Sequence, residues 1–199
     1  MATIDIPDTV AARLSLSVEV SYSGYRGFFT GARQRRSHLV DRLRATLTLP
    51  PCRAHTAAQR EAFILAVLST GDYVRLALPH RLRRRGTMAG SPTVTTTTAA
   101  GARTLPITTT PGATLLAGDW ISVNGNLLQC AYANATADGA GAMLLPLVLP
   151  TQKAITAGTA VEYTGPTGVW ELEDSGLALD YSAPVIQAGV ALPLLQVIL

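Results

Sequence analysis

Residues 120–129 have the sequence WISVNGNLLQ, and they hold the clearest folding signal in the chain. Two short apolar or β-branched stretches, Ile121-Ser-Val123 and Asn126-Leu-Leu-Gln129, lie on either side of Asn124-Gly125. An Asn-Gly pair favours a type I′ turn, because both central positions of that turn need a positive φ. The stretch therefore predicts a tight β-hairpin.

Further short segments of the same kind surround this hairpin. Gly, Pro, Asp or Asn separates them at spacings typical of a small sandwich or barrel. The predicted strands are Thr93–Thr98, Thr104–Thr109, Trp120–Val123, Asn126–Tyr132, Ala142–Leu149 and Ala160–Tyr163. Thr, Ala, Gly, Leu and Val dominate from Ser91 onward without helical periodicity, so we predict a domain junction near residue 87.

The residues before this junction predict further strands. Leu14, Leu16, Val18 and Val20 alternate with polar residues, which is typical of a half-buried strand. A hairpin turn through Ser23-Gly24 and a loop over residues 31–38 are expected next. Two more strands are predicted over Ala45–Leu49, which Pro50-Pro51 ends, and over Asp72–Leu78.

One helix is predicted between these last two strands. Thr56 is its expected N-cap, with Gln59 three residues later as in a capping box, and Gly71 is its expected C-terminal stop. The apolar residues that recur on one face are Ala62, Phe63, Ala66 and Val67.

The C-terminal residues return to strand patterns. Thr167–Glu173 alternates, and Pro184 and Pro193 are expected to delimit two extended apolar pieces within Val185–Leu199. These strands resemble the first eighty residues more than the middle of the chain. We therefore expect a mainly β protein of two domains. A discontinuous β-sandwich domain with one helix takes 1–86 plus 167–199, and an inserted small β-barrel or sandwich takes 87–166.

Charge is scarce and unevenly distributed. Only 15% of the residues are charged, against about a quarter in ordinary soluble domains, which predicts a surface largely covered by neighbours. Residues 1–86 carry a net charge of +8 and residues 87–199 a net charge of −5. Opposite charge of this kind favours ring or head-to-tail contacts between a basic and an acidic face.

The residues indicate neither a membrane protein nor a secreted one. No apolar run reaches the ~20 residues of a membrane helix. The N-terminal stretch MATIDIPDTV lacks the charged and apolar regions of a signal peptide.

No catalytic, cofactor-binding or metal site is predicted. His38, His55 and His80 lack metal-ligand spacing, and we expect loop or surface positions for them. Cys52 and Cys130 lie far apart and are expected to be reduced and partly buried.

Two carboxylates resemble a catalytic pair only at first sight. Asp119 and Asp138 each lie beside Gly at a predicted turn, where Asp bonds its own backbone. A glycosidase pair also needs one carboxyl whose pKa is raised by its surroundings. We therefore predict turn roles for both residues.

The Arg clusters and the tryptophans leave alternatives open. Arg33-Gln-Arg35-Arg36 and Arg81-Leu-Arg83-Arg84-Arg85 fit salt bridges to acidic neighbours, contact with nucleic acid, or solvated loops. Trp120 and Trp170 fit core positions, or else platforms for a sugar or a protein partner.

Residues 101–165 carry a resemblance to a known family. The hairpin stretch Leu115–Gly125 is followed by the turn stretch Ala135–Gly141, the strand stretch Leu144–Pro150 and then Ala157–Val161. This succession resembles a segment found repeatedly in tail proteins of long-tailed bacteriophages. The flanking strands and helix are similar to the belt domain of distal tail proteins.

The resemblance implies a function in the virion. Distal tail proteins form a ring, usually a hexamer, between the tail tube and the tail tip or baseplate hub, and carry a second β domain on the outside. The implied partners are copies of the chain and the tail tube and hub proteins, with DNA only passing through the ring. The family has no catalytic residues, and its implied location is the tail of a virion made in the host cytoplasm.

Other functions remain as alternatives. A carbohydrate-binding module for host attachment would use Trp120 or an exposed aromatic residue as its stacking platform. A tail-associated glycan or peptidoglycan hydrolase is a third hypothesis. For the ring, the apolar residues Leu194–Leu199 are expected to contribute an assembly surface.

Overall fold

The structure is a computed structural model, and it describes residues 2–6, 13–19, 22–26, 28, 31–37, 41–77, 84–130, 133–173, 181–182 and 186–197. Within these residues the protein is mainly β and has one helix, as predicted. In chain order the elements are β1 (Thr3–Asp5), β2 (Arg13–Glu19), β3 (Tyr22–Arg26), β4 (Arg33–Ser37), β5 (Arg42–Leu49), β6 (Cys52–Arg53), α1 (Ala54–Thr70), β7 (Tyr73–Ala77), β8 (Thr93–Val94), β9 (Thr104–Thr108), β10 (Thr114–Leu115), β11 (Trp120–Val123), β12 (Asn126–Gln129), β13 (Ala135–Thr136), β14 (Ala142–Pro146), β15 (Val161–Glu162), β16 (Thr167–Leu172), β17 (Tyr181–Ser182), β18 (Ile186–Gln187) and β19 (Val190–Gln196).

The chain divides into two compact units. The first takes the ranges Met1–Ser17, Leu43–Leu78 and Thr167–Val197. The second takes Val18–Arg42, Pro79–Pro166 and Ile198–Leu199. Residues 18–42 thus group with the second unit, whereas the sequence analysis placed them in the first domain.

A six-stranded sheet in the order β1-β7-β16-β19-β5-β2 organises the first unit. β1 runs parallel to β7, whereas β7, β16, β19 and β5 pair antiparallel in succession. The C-terminal strands β16 and β19 therefore lie side by side in the middle of the sheet, with N-terminal strands on both sides.

Alternating burial explains why the sheet has one core face. In β5, Leu43, Ala45, Leu47 and Leu49 are buried while the residues between them are exposed, as a side-chain period of two requires. Trp170 of β16 and Leu194 of β19 are fully buried in the same unit. The predicted strands at Ala45–Leu49 and Thr167–Glu173 are thus confirmed.

Helix α1 begins earlier than predicted. Arg53 occupies the N-cap position in extended backbone and makes no side-chain cap hydrogen bond, so the prediction of Thr56 as the N-cap is wrong. β6 pairs with β18 through Arg53, and the helix starts directly after this paired residue. Gly71 ends the helix in the left-handed conformation with φ of 65°, which confirms the predicted stop.

The buried face of α1 agrees only in part with the predicted one. Phe63 and Val67 are buried as predicted and Ala66 is half-buried, but Ala62 is exposed, and Ala57 and Ile64 are buried as well. Arg60 is buried among them, and its Nη1 donates to the backbone carbonyl of Pro50. The charged residue Arg60 thus lies on the core face of α1, where the sequence pattern predicts apolar residues.

Two predictions about residues 22–38 are wrong. Ser23 and Gly24 do not form a turn, because they lie inside β3 and pair with Arg36 and Arg35 of β4. The predicted loop over residues 31–38 contains β4. Backbone hydrogen bonding does not require apolar side chains, so a run of Arg formed a strand once it faced β3.

Pro193 does not end a strand, contrary to the prediction. It lies within β19, opposite Thr46 of β5. On the other side its carbonyl accepts from the Glu173 amide, so its own nitrogen also faces the β16 side. Glu173 lies one residue beyond the end of β16, so the missing N–H of Pro193 costs only the return bond of this terminal pair and leaves the pairing within β16 intact.

Residues 84–166 of the second unit form a closed barrel. β12-β11-β15 and β14-β9-β8 are three-stranded sheets. Thr93 bridges to Ala160 beside β15, and Cys130 bridges to Leu147 at the ends of β12 and β14. The strand cycle therefore returns to its start, and closure removes the sheet edges.

The barrel core is apolar and includes residues from every strand of the cycle. Leu105, Ile107, Ile121 and Leu145 are fully or almost fully buried in one cluster. The predicted hairpin is confirmed, because Asn124 has φ of 51° and Gly125 has φ of 75° between β11 and β12. The two-residue strands β10 and β13, which pair with each other, were not predicted.

Candidate assembly surface

One edge strand of the first unit's sheet is long enough to accept another strand. β2 has seven residues, and among the described residues β5 is the strand that pairs with it. Leu14 and Leu16 are half-buried and Val18 is exposed. An edge strand presents backbone donors and acceptors to a further chain.

The hairpin of β3 and β4, residues 22–37, is called the arm below. Among the described residues, β3 and β4 pair with each other and with no other strand. Ser23, Gly24, Tyr25 and Arg26 are all exposed although successive side chains point to opposite faces, so the described part of the chain covers neither face of β3. An isolated two-stranded hairpin is marginally stable in water.

Aromatic side chains make the arm apolar at its end. Tyr25 is 68% exposed and Phe28 is 91% exposed. Burying a large aromatic side chain of ~200 Å² stabilises a contact by about 5 kcal/mol at ~25 cal/mol per Å². The two rings are therefore largely exposed to solvent.

The arm is also strongly basic. It contains Arg26, Arg33, Arg35 and Arg36, and no acidic residue lies between Glu19 and Asp41. Arg26 and Arg33 are directly opposite in the strand register, where like charges destabilise a hairpin. An acidic partner surface would relieve this repulsion.

A second apolar surface lies on the barrel and is called the barrel patch below. Its residues are Pro106, Leu144, Pro146 and Val148. Leu144 is 62% exposed and Val148 is 39% exposed, because these outward positions alternate with the buried residues of the barrel core. Leu144 lies opposite Pro106 in the β14–β9 register, so the patch spans two strands.

Asp138 places a carboxylate at one end of the barrel patch. Its Oδ1 accepts from the backbone amides of Ala140 at 2.9 Å and Ala142 at 2.8 Å, and Ala142 begins β14. The residue is exposed. This is the predicted turn role. Arg103 Nη1 donates to the Val148 carbonyl at 3.2 Å, so charged groups of both signs lie beside the patch.

Asp119 is also a turn residue, as predicted, but it binds residues outside its own turn as well. Its carboxylate is buried and accepts from the Leu116 amide at 2.9 Å within the turn. It also accepts from the amides of Arg85 at 2.9 Å and Gly86 at 3.1 Å, and from Arg85 Nε at 3.2 Å. Asp119 thus anchors residues 85–86 to the β10–β11 turn.

Burial and hydrogen bonding have opposite effects on the pKa of the Asp119 carboxyl. Burial raises its pKa, but the amides of Leu116, Arg85 and Gly86 and the Arg85 side chain together lower that pKa below its ordinary value of 3.8. The group is therefore a permanently ionised anchor at neutral pH and not a proton donor.

One of the Arg clusters is partly described. Arg85 pairs with Asp119, in agreement with the salt-bridge interpretation. The Arg84 guanidinium carbon lies 4.6 Å from the centroid of the Tyr163 ring, a cation–π contact. Arg81 and Arg83 lie outside the described residues.

The tryptophans are core residues. Trp120 is 6% exposed and Trp170 is completely buried. Trp120 therefore presents no open ring on which a sugar could stack.

The thiols and histidines do not form a reactive site within the described part of the chain. Cys52 is partly buried, Cys130 is buried, and both are reduced thiols, as predicted. Burial, reinforced by the Asp119 charge, raises the pKa of the Cys130 thiol to about 12. His55 is exposed on α1, while His38 and His80 lie outside the described residues.

Metal and membrane features were searched in the same residues. Among them, no group of three or more His, Cys, Asp or Glu side chains could hold a metal ion. The helix of the described chain is too short and too polar to cross a membrane.

The described part of the apolar C-terminus lies in the sheet of the first unit. Leu194 and Val197 are buried there, and β19 lies between β16 and β5. Residues 198–199 lie outside the described residues, and the contribution of Leu194–Leu199 to assembly stays a prediction.

No protein-family model matches the chain, and no curated protein matches its sequence significantly.

Proposed function

We propose that the protein is a non-enzymatic structural component of a bacteriophage tail, and that its copies form a ring between the tail tube and the tail tip or baseplate hub. The resemblance of residues 101–165 and of their flanks to distal tail proteins supplies the tail context. The assembly role is argued from the arm. Ser23–Arg26 of its strand β3 are exposed on both faces, and the rings of Tyr25 in β3 and of Phe28 just beyond it are exposed.

The two units contribute differently to assembly. The barrel closes on itself and offers no strand edge for growth in its strand cycle. The first unit's sheet keeps β2 at its edge, next along the chain to the arm. Strand pairing between copies is therefore expected at β2 and the arm.

The magnitudes indicate that the arm needs support from other contacts. Burial of Tyr25 and Phe28 yields on the order of 10 kcal/mol. Association costs about 4–15 kcal/mol in lost rigid-body freedom alone. A stable ring thus requires further contacts, of which the β2 edge is one, and closure of the ring adds a second interface to every copy.

The charge distribution supports contacts between unlike faces. The basic first 86 residues, with a net charge of +8, and the acidic remainder, with −5, attract one another across copies. Such complementarity raises the association rate and selects the register. Assembly is therefore expected to weaken at high salt.

Light scattering on the full chain tests the proposal. The wild-type protein is expected to form a discrete multimer, and the double variant Tyr25→Ser, Phe28→Ser is expected to be monomeric with an unchanged circular dichroism spectrum. Leu65→Ser is the matched control, because Leu65 is an exposed apolar residue of α1 outside the arm.

The same preparation distinguishes the ring hypothesis from the carbohydrate-binding alternative. Trp120 is buried, and among the aromatic residues whose side chains the structure describes, Tyr25 and Phe28 are the ones exposed enough for a sugar to stack on. A wild-type protein that stays monomeric at every concentration and binds glycans on an array would overturn the ring and favour that alternative.

A further inference from the structure

Asn124 is exposed at the tip of the β11–β12 hairpin, and asparagine is one of the chemically labile residues. Its side chain forms no hydrogen bond with any residue that the structure describes. Gly125 follows with φ of 75° and lies between the paired residues of the two strands. Because Gly125 has no Cβ, its backbone nitrogen is open to close approach. An exposed side-chain amide is thus next in the chain to an unhindered backbone nitrogen.

We propose that Asn124 is a site of spontaneous deamidation. A base removes the Gly125 amide proton, and the nitrogen attacks the side-chain carbon Cγ of Asn124, a reaction that proximity within one chain favours. A C–N bond forms, the bond from Cγ to Nδ2 breaks, and Nδ2 takes up a proton and leaves as ammonia. Water then opens the succinimide ring at either of its carbonyl carbons, which gives aspartate or isoaspartate. The reaction consumes water, releases ammonia and needs no oxidant.

The other two asparagines of the chain lack this arrangement. Asn126 and Asn134 are followed by Leu and Ala, whose Cβ atoms hinder approach of the backbone nitrogen. The residues that follow them are also buried, in β12 and β13. The Asn134 Oδ1 accepts from the Ala117 amide at 2.9 Å, which holds that side chain in place. The reaction is therefore expected first at Asn124.

The Asp138-Gly139 turn has a similar sequence but a fixed side chain. The Asp138 Oδ1 accepts from the amides of Ala140 at 2.9 Å and Ala142 at 2.8 Å, so residues beyond Gly139 hold the carboxylate. A carboxylate is also a poorer target than a neutral amide, because its negative charge repels the attacking nitrogen. The two turns are therefore expected to differ, and the Asn124 turn is the reactive one.

The isoaspartate product changes the turn that closes the hairpin. Its backbone runs through the former side chain, which inserts a methylene group between residues 124 and 125. Val123 pairs with Asn126 across the turn and with Val161 of β15 on its other side. Because a two-residue turn sets the register of its strands, the longer backbone disturbs this pairing. Isoaspartate is expected to lower the Tm of the protein, and aspartate, which keeps the ordinary backbone, to lower it less.

Peptide mapping of the full chain tests the site. Wild-type protein is incubated in its native state at neutral and at mildly alkaline pH, and fragment mass spectra assign each exchange of NH₂ for OH to one asparagine. Conversion is expected at Asn124 before any appears at Asn126 or Asn134, and it is expected to be faster at the higher pH, where the amide proton is removed more readily. An isoaspartyl methyltransferase with a labelled methyl donor detects the isoaspartate independently.

Asn124→Gly is the matched variant, because Gly-Gly also suits a type I′ turn but supplies no side-chain amide. It is expected to keep the wild-type circular dichroism spectrum and to take up little methyl label. Equal conversion at the three asparagines would overturn the proposal, and so would wild-type labelling of Asn124→Gly. A native Asn124 that stays intact while the urea-unfolded chain reacts would overturn it as well. The site does not depend on the proposed ring, so light scattering and peptide mapping test the two separately.

Discussion

Replacing the buried turn residue Asp119 by Ala should destabilise the barrel more than replacing the exposed turn residue Asp138 by Ala. The carboxylate accepts from three backbone amides, those of Leu116, Arg85 and Gly86, at 2.9–3.1 Å. It also accepts from Arg85 Nε at 3.2 Å. Ala removes all four acceptor contacts at once.

The size of the effect follows from the number of donors left without an acceptor. A buried donor that loses its partner costs about 1–3 kcal/mol. The Arg85 guanidinium is more than half exposed and regains water, so we count the three amides alone, at the lower value. The expected loss is about 3 kcal/mol in the free energy of unfolding. For a domain of this size that lowers Tm by roughly 12–24 °C.

Urea unfolding followed by tryptophan fluorescence measures this loss, since Trp120 lies in the barrel and Trp170 in the first unit. Asp138→Ala is the matched control, because Asp138 is also a turn carboxylate but is exposed. Its loss should stay at about 0.5–1.5 kcal/mol.

Acidification supplies an independent check on the same residue. The folded pKa of Asp119 lies below its ordinary value of 3.8. Its contribution is therefore complete above pH 3.8 and disappears as the pH falls through the folded pKa. Wild-type protein should lose stability in that range more steeply than Asp119→Ala. If Asp119→Ala costs no more than Asp138→Ala and shows the wild-type acid slope, the anchoring role is wrong.

Two further predictions follow from the barrel and the thiols. Gly86→Ala should destabilise the barrel by several kcal/mol in urea unfolding, because a Cβ at residue 86 would lie 2.1 Å from a backbone carbonyl oxygen of β10. Gly139→Ala is the control and should have little effect, because a Cβ at residue 139 would meet nothing within 4 Å. Equal losses of stability in the two variants would contradict this prediction. A maleimide at pH 8 should label Cys52 in the native protein and Cys130 only after unfolding, since burial raises the pKa of the Cys130 thiol to about 12. Mass spectrometry of the labelled peptides measures the order of labelling. Labelling of Cys130 in the native protein would refute the prediction.

The features predicted correctly from the sequence are those with local causes. The Asn124-Gly125 turn needs positive φ at two adjacent positions, and the neighbouring residues alternate or are apolar. Gly71 ends α1 for a similarly local reason. Alternation in residues 45–49 predicted a strand because one face of β5 is buried.

The features missed from the sequence depend on contacts between distant residues. The capping pattern at Thr56 was overridden by the pairing of Arg53 with β18, more than a hundred residues later in the chain. The basic run in β4 gave no strand signal, because its pairing with β3 joins backbone groups, which are alike in every residue. Arg60 was not predicted as a core residue, because a charged side chain is typical of an exposed position and its acceptor, the Pro50 carbonyl, lies outside the helix.

The sequence by itself determined that this protein is mainly β and has one helix within the described residues. It also determined that the Asp-Gly and Asn-Gly positions are turns. These features depend on local backbone φ, on the alternation of apolar and polar residues and on side-chain size. Only the tertiary structure decided that Pro193 lies inside a strand, that the barrel closes through Cys130 and Leu147, and that the arm is exposed on both faces of β3. The physical reason is that strand pairing joins backbone groups, and backbone groups are alike in every residue, so a strand's choice of partner leaves little trace in its side chains.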